Sequence, residues 1–350
     1  MNRAQVAWTR MPALLGAVLR DRGAAFAGLA RRHPEGVVVP LPGRPLHVLS
    51  SAAAVKHVLV DAADRYEKGM GQAEARAGLG RGLLTGEGED WAAARGDLGP
   101  WLRARRVQQH ASQVHRLAIA SVGSMVVPGP RATPVAQHLA DYTLGCLAGV
   151  LGVPAPPTAT VVRAFETVQD DAMFRAVTQD RVPAWLRPRA TSRLRAARAD
   201  LDAAADAMIA ALAGKGEPLP AWADRDGVVS LLLAGYETTA STLTWAIDAL
   251  SRRPLLQEAL AEEREAAADP SDDPADVVRL MGELRLTTAV VREVLRLRPP
   301  VWLVSRRARL DDVVAGWPVA AGDDVCLVLA EVQRDGWAQV DAFEPRRFLD

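Results

Sequence analysis

The spacing of apolar residues predicts that most of the chain is helical. From Asp90 onward, apolar residues recur at intervals of three and four, the period of an amphipathic helix. The predicted helices span residues 90–122, 132–151, 158–176, 189–213, 227–252, 254–268, 275–280 and 284–298. The predicted breaks between them include Pro128-Gly129-Pro130, Pro154 to Pro157, Gly214 to Pro220, and Asp269 to Pro274.

Strand-like segments flank the helices on both sides. The first two cover residues 36–41 and 45–49 around a turn at Pro42-Gly43, and a helix capped at Ser50-Ser51 follows them. After Pro299-Pro300 the pattern returns to strands, at residues 302–304, 312–314, 317–319 and 325–328. We therefore expect a mainly α molecule with a small β-sheet (α+β) that joins the two ends, as one domain over residues 1–350.

Two further segments are assigned from local pattern. Residues 11–19 are apolar and run into residues 26–32, which favours an amphipathic first helix. A signal peptide is the alternative for the same residues, since Arg3 and Arg10 precede them. The glycine-rich residues 71–88 lack the G-x-G-x-x-G spacing and a leading strand, so they are predicted to be a loop that does not bind phosphate.

Composition narrows the class of protein. Lys+Arg and Asp+Glu both number 42, so bulk charge does not indicate nucleic acid or an anionic membrane as a partner. No stretch reaches the roughly 18 apolar residues of a membrane span. The two cysteines, Cys146 and Cys326, make neither a disulfide framework nor a clustered metal site, which is consistent with a reducing cytoplasm.

The strongest chemical signal is Ala234-Gly235-Tyr236-Glu237-Thr238, inside an otherwise apolar helix. Glycine in a helix interior costs about 1 kcal/mol relative to alanine, and burying a carboxyl group costs more unless it has a partner. The segment therefore indicates a polar notch at a kink, where Glu237 and Thr238 could hold a water and move a proton. The alternative is a plain buried helix, whose alcohols bond back to carbonyls and whose acid reaches solvent.

Two pairs of charged or polar residues are weaker signals. Glu293 and Arg296 are three apart on the helix that ends at Pro299, where an exposed ion pair is the simpler explanation. A second arginine, Arg347 in Phe343-Glu344-Pro345-Arg346-Arg347-Phe348, could complete a buried cluster. Trp91 and Arg95, four apart, could grip a carboxylate, or they could form a surface cation–π contact.

In this order, A-G-x-E-T (Ala234, Gly235, Glu237, Thr238), E-x-x-R (Glu293, Arg296) and F-x-P-x-R-F (Phe343, Pro345, Arg347, Phe348) resemble the cytochrome P-450 family of haem-thiolate monooxygenases, soluble bacterial type. W-x-x-x-R (Trp91, Arg95) also resembles that family, and the resemblance covers essentially the whole chain. It implies a haem cofactor, dioxygen, a hydrophobic small-molecule substrate and an electron donor of the ferredoxin or flavodoxin type. It also implies a cytoplasmic enzyme with neither nucleic acid nor membrane as a partner.

The resemblance also implies roles for individual residues. Glu237 and Thr238 would be catalytic, handling protons and dioxygen. The residues near the haem would be Trp91, Arg95, Ala234, Gly235 and Arg306. A structural cluster would comprise Glu293, Arg296 and Arg347. The substrate pocket would be lined by Val301, Trp302 and Val304. An acidic electron donor would dock on Arg103, Arg105 and Arg106.

One feature of the family is missing from the sequence. The family's iron is held by a cysteine thiolate in a glycine-containing loop after the F-x-P-x-R-F segment, and the sequence stops two residues after Phe348. Cys146 has the setting of a packed thiol, and Cys326 lies before the motif, so no metal ligand is predicted within the chain. We therefore expect a cytochrome P-450 fold that lacks its C-terminal haem-ligand loop, and a chain that is inactive on its own. The alternatives are a haem-free protein that binds hydrophobic ligands and a non-functional remnant.

Overall fold

A computed structural model describes residues 4–41, 43–125 and 134–349. Pro42 of the predicted first turn, the predicted break at Pro128-Gly129-Pro130, the first two residues of the predicted helix 132–151 and both ends of the predicted domain lie outside these ranges. The chain forms two compact units. The sheet unit comprises Met1–Ala75, Ala172–Leu186 and Arg296–Ala342, and the helical unit comprises Arg76–Asp171, Arg187–Leu295 and Phe343–Asp350.

The described elements confirm a mainly α fold with a small sheet. The helices are α1 (Met11–Arg20), α2 (Arg22–Arg32), α3 (Ala52–Lys56), α4 (Gln72–Leu79), α5 (Gly88–Leu98), α6 (Ala104–Gln108), α7 (Ala111–Met125), α8 (Val135–Leu151), α9 (Thr158–Thr178), α10 (Pro188–Ala213), α11 (Arg225–Ser251), α12 (Pro254–Ala266), α13 (Pro274–Glu283), α14 (Arg285–Leu297) and α15 (Leu329–Val332). The strands are β1 (Val37–Val39), β2 (Leu46–Leu49), β3 (Tyr66–Lys68), β4 (Val304–Ala308), β5 (Asp312–Val314), β6 (Trp317–Val319) and β7 (Asp324–Leu327).

The sheet unit joins strands from both ends of the chain, as predicted. Its five-stranded sheet has the order β1-β2-β7-β4-β3, and β2 pairs with β7 in parallel. Alternate residues of β7 point to opposite faces of the sheet. Val325 and Leu327 enter one buried apolar cluster, while Cys326 enters the other. The sheet is therefore covered by apolar side chains on both faces.

Carboxylates at helix N-termini set the positions of two long helices in the helical unit. Asp224 caps α11 by accepting from the Gly227 amide at 2.6 Å. Glu263 of α12 accepts from the first amides of α14, Leu286 at 2.5 Å and Thr287 at 2.9 Å. Unpaired amides at a helix start are stabilised by such acceptors. These caps fix where the two motif-bearing helices begin.

Several predicted boundaries were wrong. The helix predicted over residues 90–122 is three helices, α5 to α7, because Pro100 cannot continue the helical hydrogen bonds. The loop predicted over residues 71–88 contains α4, and β3 was not predicted because three residues carry no periodic signal. The strand predicted at residues 302–304 starts only at Val304 and runs to Ala308. The sheet register of β4 against β7 sets its position, and local apolar content does not reveal that register.

Candidate active site

The central helix α11 runs without a break through the predicted notch. Gly235 lies in α11, between Arg225 and Ser251. A Cβ atom added at Gly235 would lie 2.9 Å from the Leu147 side chain of α8. Real Cβ atoms do not approach so closely, so in this structure the glycine allows α8 and α11 to pack together.

Small residues leave one side of α11 uncovered beside the notch. The preceding turns are deeply buried, with Val229 and Leu232 fully inaccessible. Ala234 and Thr239 are instead exposed, and Thr238 between them is half-buried. We name Ala234, Thr238 and Thr239 the open face. A long helix whose preceding turns are buried thus presents a shallow strip of small side chains.

The hydroxyl groups of α11 bond to the helix itself. The Thr238 hydroxyl donates to the Ala234 carbonyl at 3.0 Å, and Thr242 and Thr244 make the equivalent bonds at 2.9 and 2.7 Å. This part of the structure matches the plain-helix alternative, in which alcohols bond back one turn. The Thr238 oxygen keeps acceptor capacity beside the open face, because a hydroxyl has two lone pairs.

Glu237 is half-buried and has a side-chain partner on another helix, which that alternative did not include. Gln169 of α9 donates its side-chain amide to Glu237 Oε1 at 2.7 Å. Glu237 also lines a cavity of about 660 Å³ between α8, α9 and α11, and Thr238 and Ala234 do not line it. Successive helix residues differ by about 100° around the axis. The predicted acid–alcohol pair therefore faces two different sides of α11.

The Tyr236 side chain of α11 packs against α9. Its ring packs on Phe165 with centroids 5.8 Å apart, and its side chain is buried. Burial raises the pKa of the Tyr236 phenol above its ordinary value, and the charges of Glu237 and Glu166 add to that effect. The neutral phenol and the carboxylate groups thus converge on the same side of α11.

The residues predicted to hold haem carboxylates do not all have free donors. The Trp91 indole N–H donates to the Leu83 carbonyl at 2.9 Å, so it fastens the loop before α5. Arg95 is exposed one turn further along α5. Arg306 lies in the sheet unit, inside β4, where its Nη1 donates to Gln72 Oε1 at 3.1 Å and to the Ser305 carbonyl at 2.8 Å.

The predicted structural cluster is built around a fully buried acid. The Glu293 carboxylate lies 3.3 Å from Arg347 Nε and accepts from the Glu344 amide at 2.8 Å, with no exposed surface. Arg296, one turn later on α14, donates to the carbonyls of Val340 at 2.7 Å and Ala342 at 3.1 Å. Glu293 and Arg347 thus hold the backbone at Glu344 within the helical unit, while Arg296 holds Val340 and Ala342 within the sheet unit.

The predicted substrate-lining residues have three different surroundings within the sheet unit. Val301 is half exposed, and Val304 pairs with Leu327 in the sheet. The Trp302 ring packs against Phe26, with centroids 6.1 Å apart. Trp302 thus contributes to the core beside α2, and the three do not share one environment.

Both cysteines are held as thiols. Cys326 lies inside β7 with 1% of its surface exposed, and burial raises the pKa of its thiol. Cys146 on α8 is half-buried, and burial likewise raises its thiol pKa, which a hydrogen bond with Tyr142 partly offsets. A thiolate ligand needs the opposite shift.

The arginines predicted to dock an electron donor lie at the surface of the helical unit. Arg103, Arg105 and Arg106 are exposed, and the Arg106 guanidinium stacks over Trp101 at 3.9 Å. Among the described residues, no three His, Cys, Asp or Glu side chains are grouped so that they could hold a metal ion. None of the described helices combines the length and apolar character needed to cross a membrane.

Sequence reasoning missed the partners of the notch. Gln169 is one polar residue on a long helix, and nothing in the sequence pairs it with Glu237. Its only local signal is its position one turn after Phe165, which packs against Tyr236. The acceptor of the Trp91 indole, a main-chain carbonyl, has no sequence signal at all.

Comparison with known proteins places these motifs in a family. The family model described as cytochrome P-450 matches residues 190–350. Cytochrome P-450 132 of Mycobacterium bovis is 26% identical over 343 residues, covering 88% of this chain and 73% of that protein. Cyclooctatin synthase of Streptomyces melanosporofaciens is 29% identical, covering 91% of this chain and 73% of that protein. Pentalenene oxygenase of Streptomyces avermitilis is 35% identical over 126 residues, 35% of this chain and 27% of that protein. The chain belongs to the cytochrome P-450 family.

Proposed function

We propose that the protein is a haem-dependent monooxygenase that oxidises a hydrophobic small molecule, with the open face of α11 as the side turned to the haem. The single observation that carries this is the exposed strip of Ala234, Thr238 and Thr239 in a helix whose preceding turns are buried. A large flat group needs such a strip, because longer side chains would keep it away from the helix. The family membership and a relative named as an oxygenase support the same chemistry.

The described residues fit a haem on this side only in part. Small side chains on the open face leave room for it, and the exposed Arg95 guanidinium could pair with one of its carboxylates. Trp91 would first have to give up its bond to Leu83. When bound, a haem would supply the redox chemistry of dioxygen activation. Ala234 and Arg95 are therefore the residues we propose to contact it.

The chain's own catalytic groups act from neighbouring positions on α11. The Thr238 hydroxyl would orient a proton donor at the open face, using the lone pair left by its bond to Ala234. Glu237, held at one oxygen by Gln169, would exchange protons with solvent through the cavity it lines. A side-chain relay of this kind typically contributes a factor of about 10² to 10⁴ in rate.

We further propose that the iron's thiolate comes from neither Cys146 nor Cys326. Both thiols have raised pKa values, and neither lies in a loop that could face a cofactor. Replacing either by serine should leave haem binding unchanged. If the unchanged protein does not bind haem at all, the haem-free ligand-binding alternative gains support.

The other residue roles complete the proposal. Glu293, Arg296 and Arg347 would form the structural cluster, while Arg306 would support the haem and Val301, Trp302 and Val304 would line the substrate. An acidic electron donor would approach the exposed Arg103, Arg105 and Arg106 by charge attraction. We place residues 1–350 in one P-450 domain that works in the cytoplasm.

The test is the coupling of oxygen use to product. In haem-loaded protein to which a thiolate-bearing loop of the family has been joined, Thr238→Ala should release more hydrogen peroxide per dioxygen consumed and form less product, because the open face loses its hydroxyl. Thr238→Ser, which keeps the hydroxyl, is the matched control and should behave like the unchanged protein. Equal coupling in all three proteins would contradict the proposed role of Thr238.

A further inference from the structure

The cavity beside Glu237 is a second site, distinct from the open face. Its walls come from α8, α9 and α11, all within the helical unit, and its volume of about 660 Å³ lies in the range of small-molecule pockets. The lining includes Tyr236 and Glu237 but neither Ala234 nor Thr238. We propose that this cavity binds an organic ammonium compound with an apolar body, separately from the hydrophobic substrate.

The charged side chains that line the cavity favour a cationic ligand. Two carboxylates line the cavity, the half-buried Glu237 on α11 and the exposed Glu166 on α9. One guanidinium, Arg163, also lines it, but that side chain is exposed and leans toward the Thr160 hydroxyl at 3.5 Å. The balance is one net negative charge. Gln169 occupies only one oxygen of Glu237, so the carboxylate can still accept from a ligand.

Aromatic groups select the body of the ligand. Trp245 stands at the exposed end of the lining, where an indole face attracts cations. Tyr236 is 6% exposed and contributes its phenol to the lining. Its hydroxyl can donate to or accept from a ligand in the cavity. Ala136, Ala140 and Ala240 supply an apolar floor that favours a hydrocarbon portion.

The experiment is calorimetric titration of the full chain with three probes of one shape. These are 2-phenylethylammonium, the neutral 2-phenylethanol and the anionic phenylacetate. The ammonium should bind at least about tenfold more tightly than the alcohol, and phenylacetate should not bind. Its affinity should fall as salt is raised, because part of the attraction comes from an exposed charge.

Variants locate the binding. Glu166→Gln should weaken ammonium binding about fivefold and Tyr236→Phe by a similar factor. Glu258→Gln, an exposed acid on α12 outside the cavity, is the matched control and should change nothing. Glu166 is exposed, so its replacement should not disturb folding, which circular dichroism checks. The proposal is overturned if no probe binds, if the alcohol binds as tightly as the ammonium, or if Glu166→Gln and Tyr236→Phe both bind like the unchanged chain.

Discussion

Glu293 and Glu237 are carboxylates on two different helices of the helical unit, and their surroundings are opposite. Glu293 has no exposed surface and is matched by a guanidinium and a main-chain amide. Glu237 is half-buried, has one neutral amide as partner and faces a cavity. A buried carboxylate matched by a guanidinium and an amide is held in place, whereas one with a free oxygen beside a cavity can bind a further donor. We call Glu293 the structural acid, and Glu237, which is proposed to transfer protons, the reactive acid.

The largest expected effect is on the structural acid. Glu293→Gln removes the charge opposite Arg347, whose side chain is 11% exposed. Breaking a buried ion pair from one side typically costs about 3–5 kcal/mol, since the other charge stays buried. Urea unfolding followed by circular dichroism should show a loss of that size. A loss below about 1 kcal/mol would mean that Glu293 is no more structural than a surface acid.

The reactive acid should show the reverse pattern. Glu237→Gln keeps the shape and can still accept from Gln169, so the free energy of unfolding should change by less than about 1 kcal/mol. Product formation by haem-loaded protein that carries a joined thiolate-bearing loop should fall about 10²-fold, because the amide cannot exchange protons. Steady-state kinetics test the loss of product formation, and urea unfolding of the same variant tests the change in the free energy of unfolding. Normal kinetics with large destabilisation would reverse the assignment of the two acids.

The smallest effect concerns the partner of the reactive acid. Gln169→Leu removes the amide that holds Glu237 while nearly keeping the side-chain volume. The carboxylate can turn to water in the cavity, so the free energy of unfolding should fall by about 1 kcal/mol or less. Thr167→Val, two residues earlier on α9, is the control for a lost side-chain hydrogen bond, since its hydroxyl bonds only to Arg163 of its own helix. A loss as large as that for Glu293→Gln would erase the contrast between the two acids.

The sequence predicted the framework better than the details of the site. The long periodic helices, such as α9 and α10, and the joining of terminal strands through β2 and β7 follow from patterns carried within short windows. The pairing of Glu237 with Gln169 spans 68 residues and depends on how α9 crosses α11. The Trp91 bond goes to a main-chain carbonyl, which any residue supplies. Tertiary contacts between distant positions leave no periodic trace.

Gly235 shows how one residue can fit two explanations. Its place in the A-G-x-E-T motif resembles a haem-facing glycine, while the structure shows its close approach to Leu147. Helix–helix packing and an open face next to it can both require small residues, because they occupy adjacent sides of α11. The motif alone does not separate the two causes, and the neighbouring side chains do.

Haem titration of the open face is the most direct test of the central claim. Haemin added to the protein should quench tryptophan fluorescence with a stoichiometry of one per chain. Ala234→Trp should weaken that binding by at least about tenfold by filling the strip. Ala261→Trp, at an exposed position of α12, is the matched control and should bind haemin like the unchanged protein. Equal haemin affinity in Ala234→Trp and Ala261→Trp would contradict the assignment of this face.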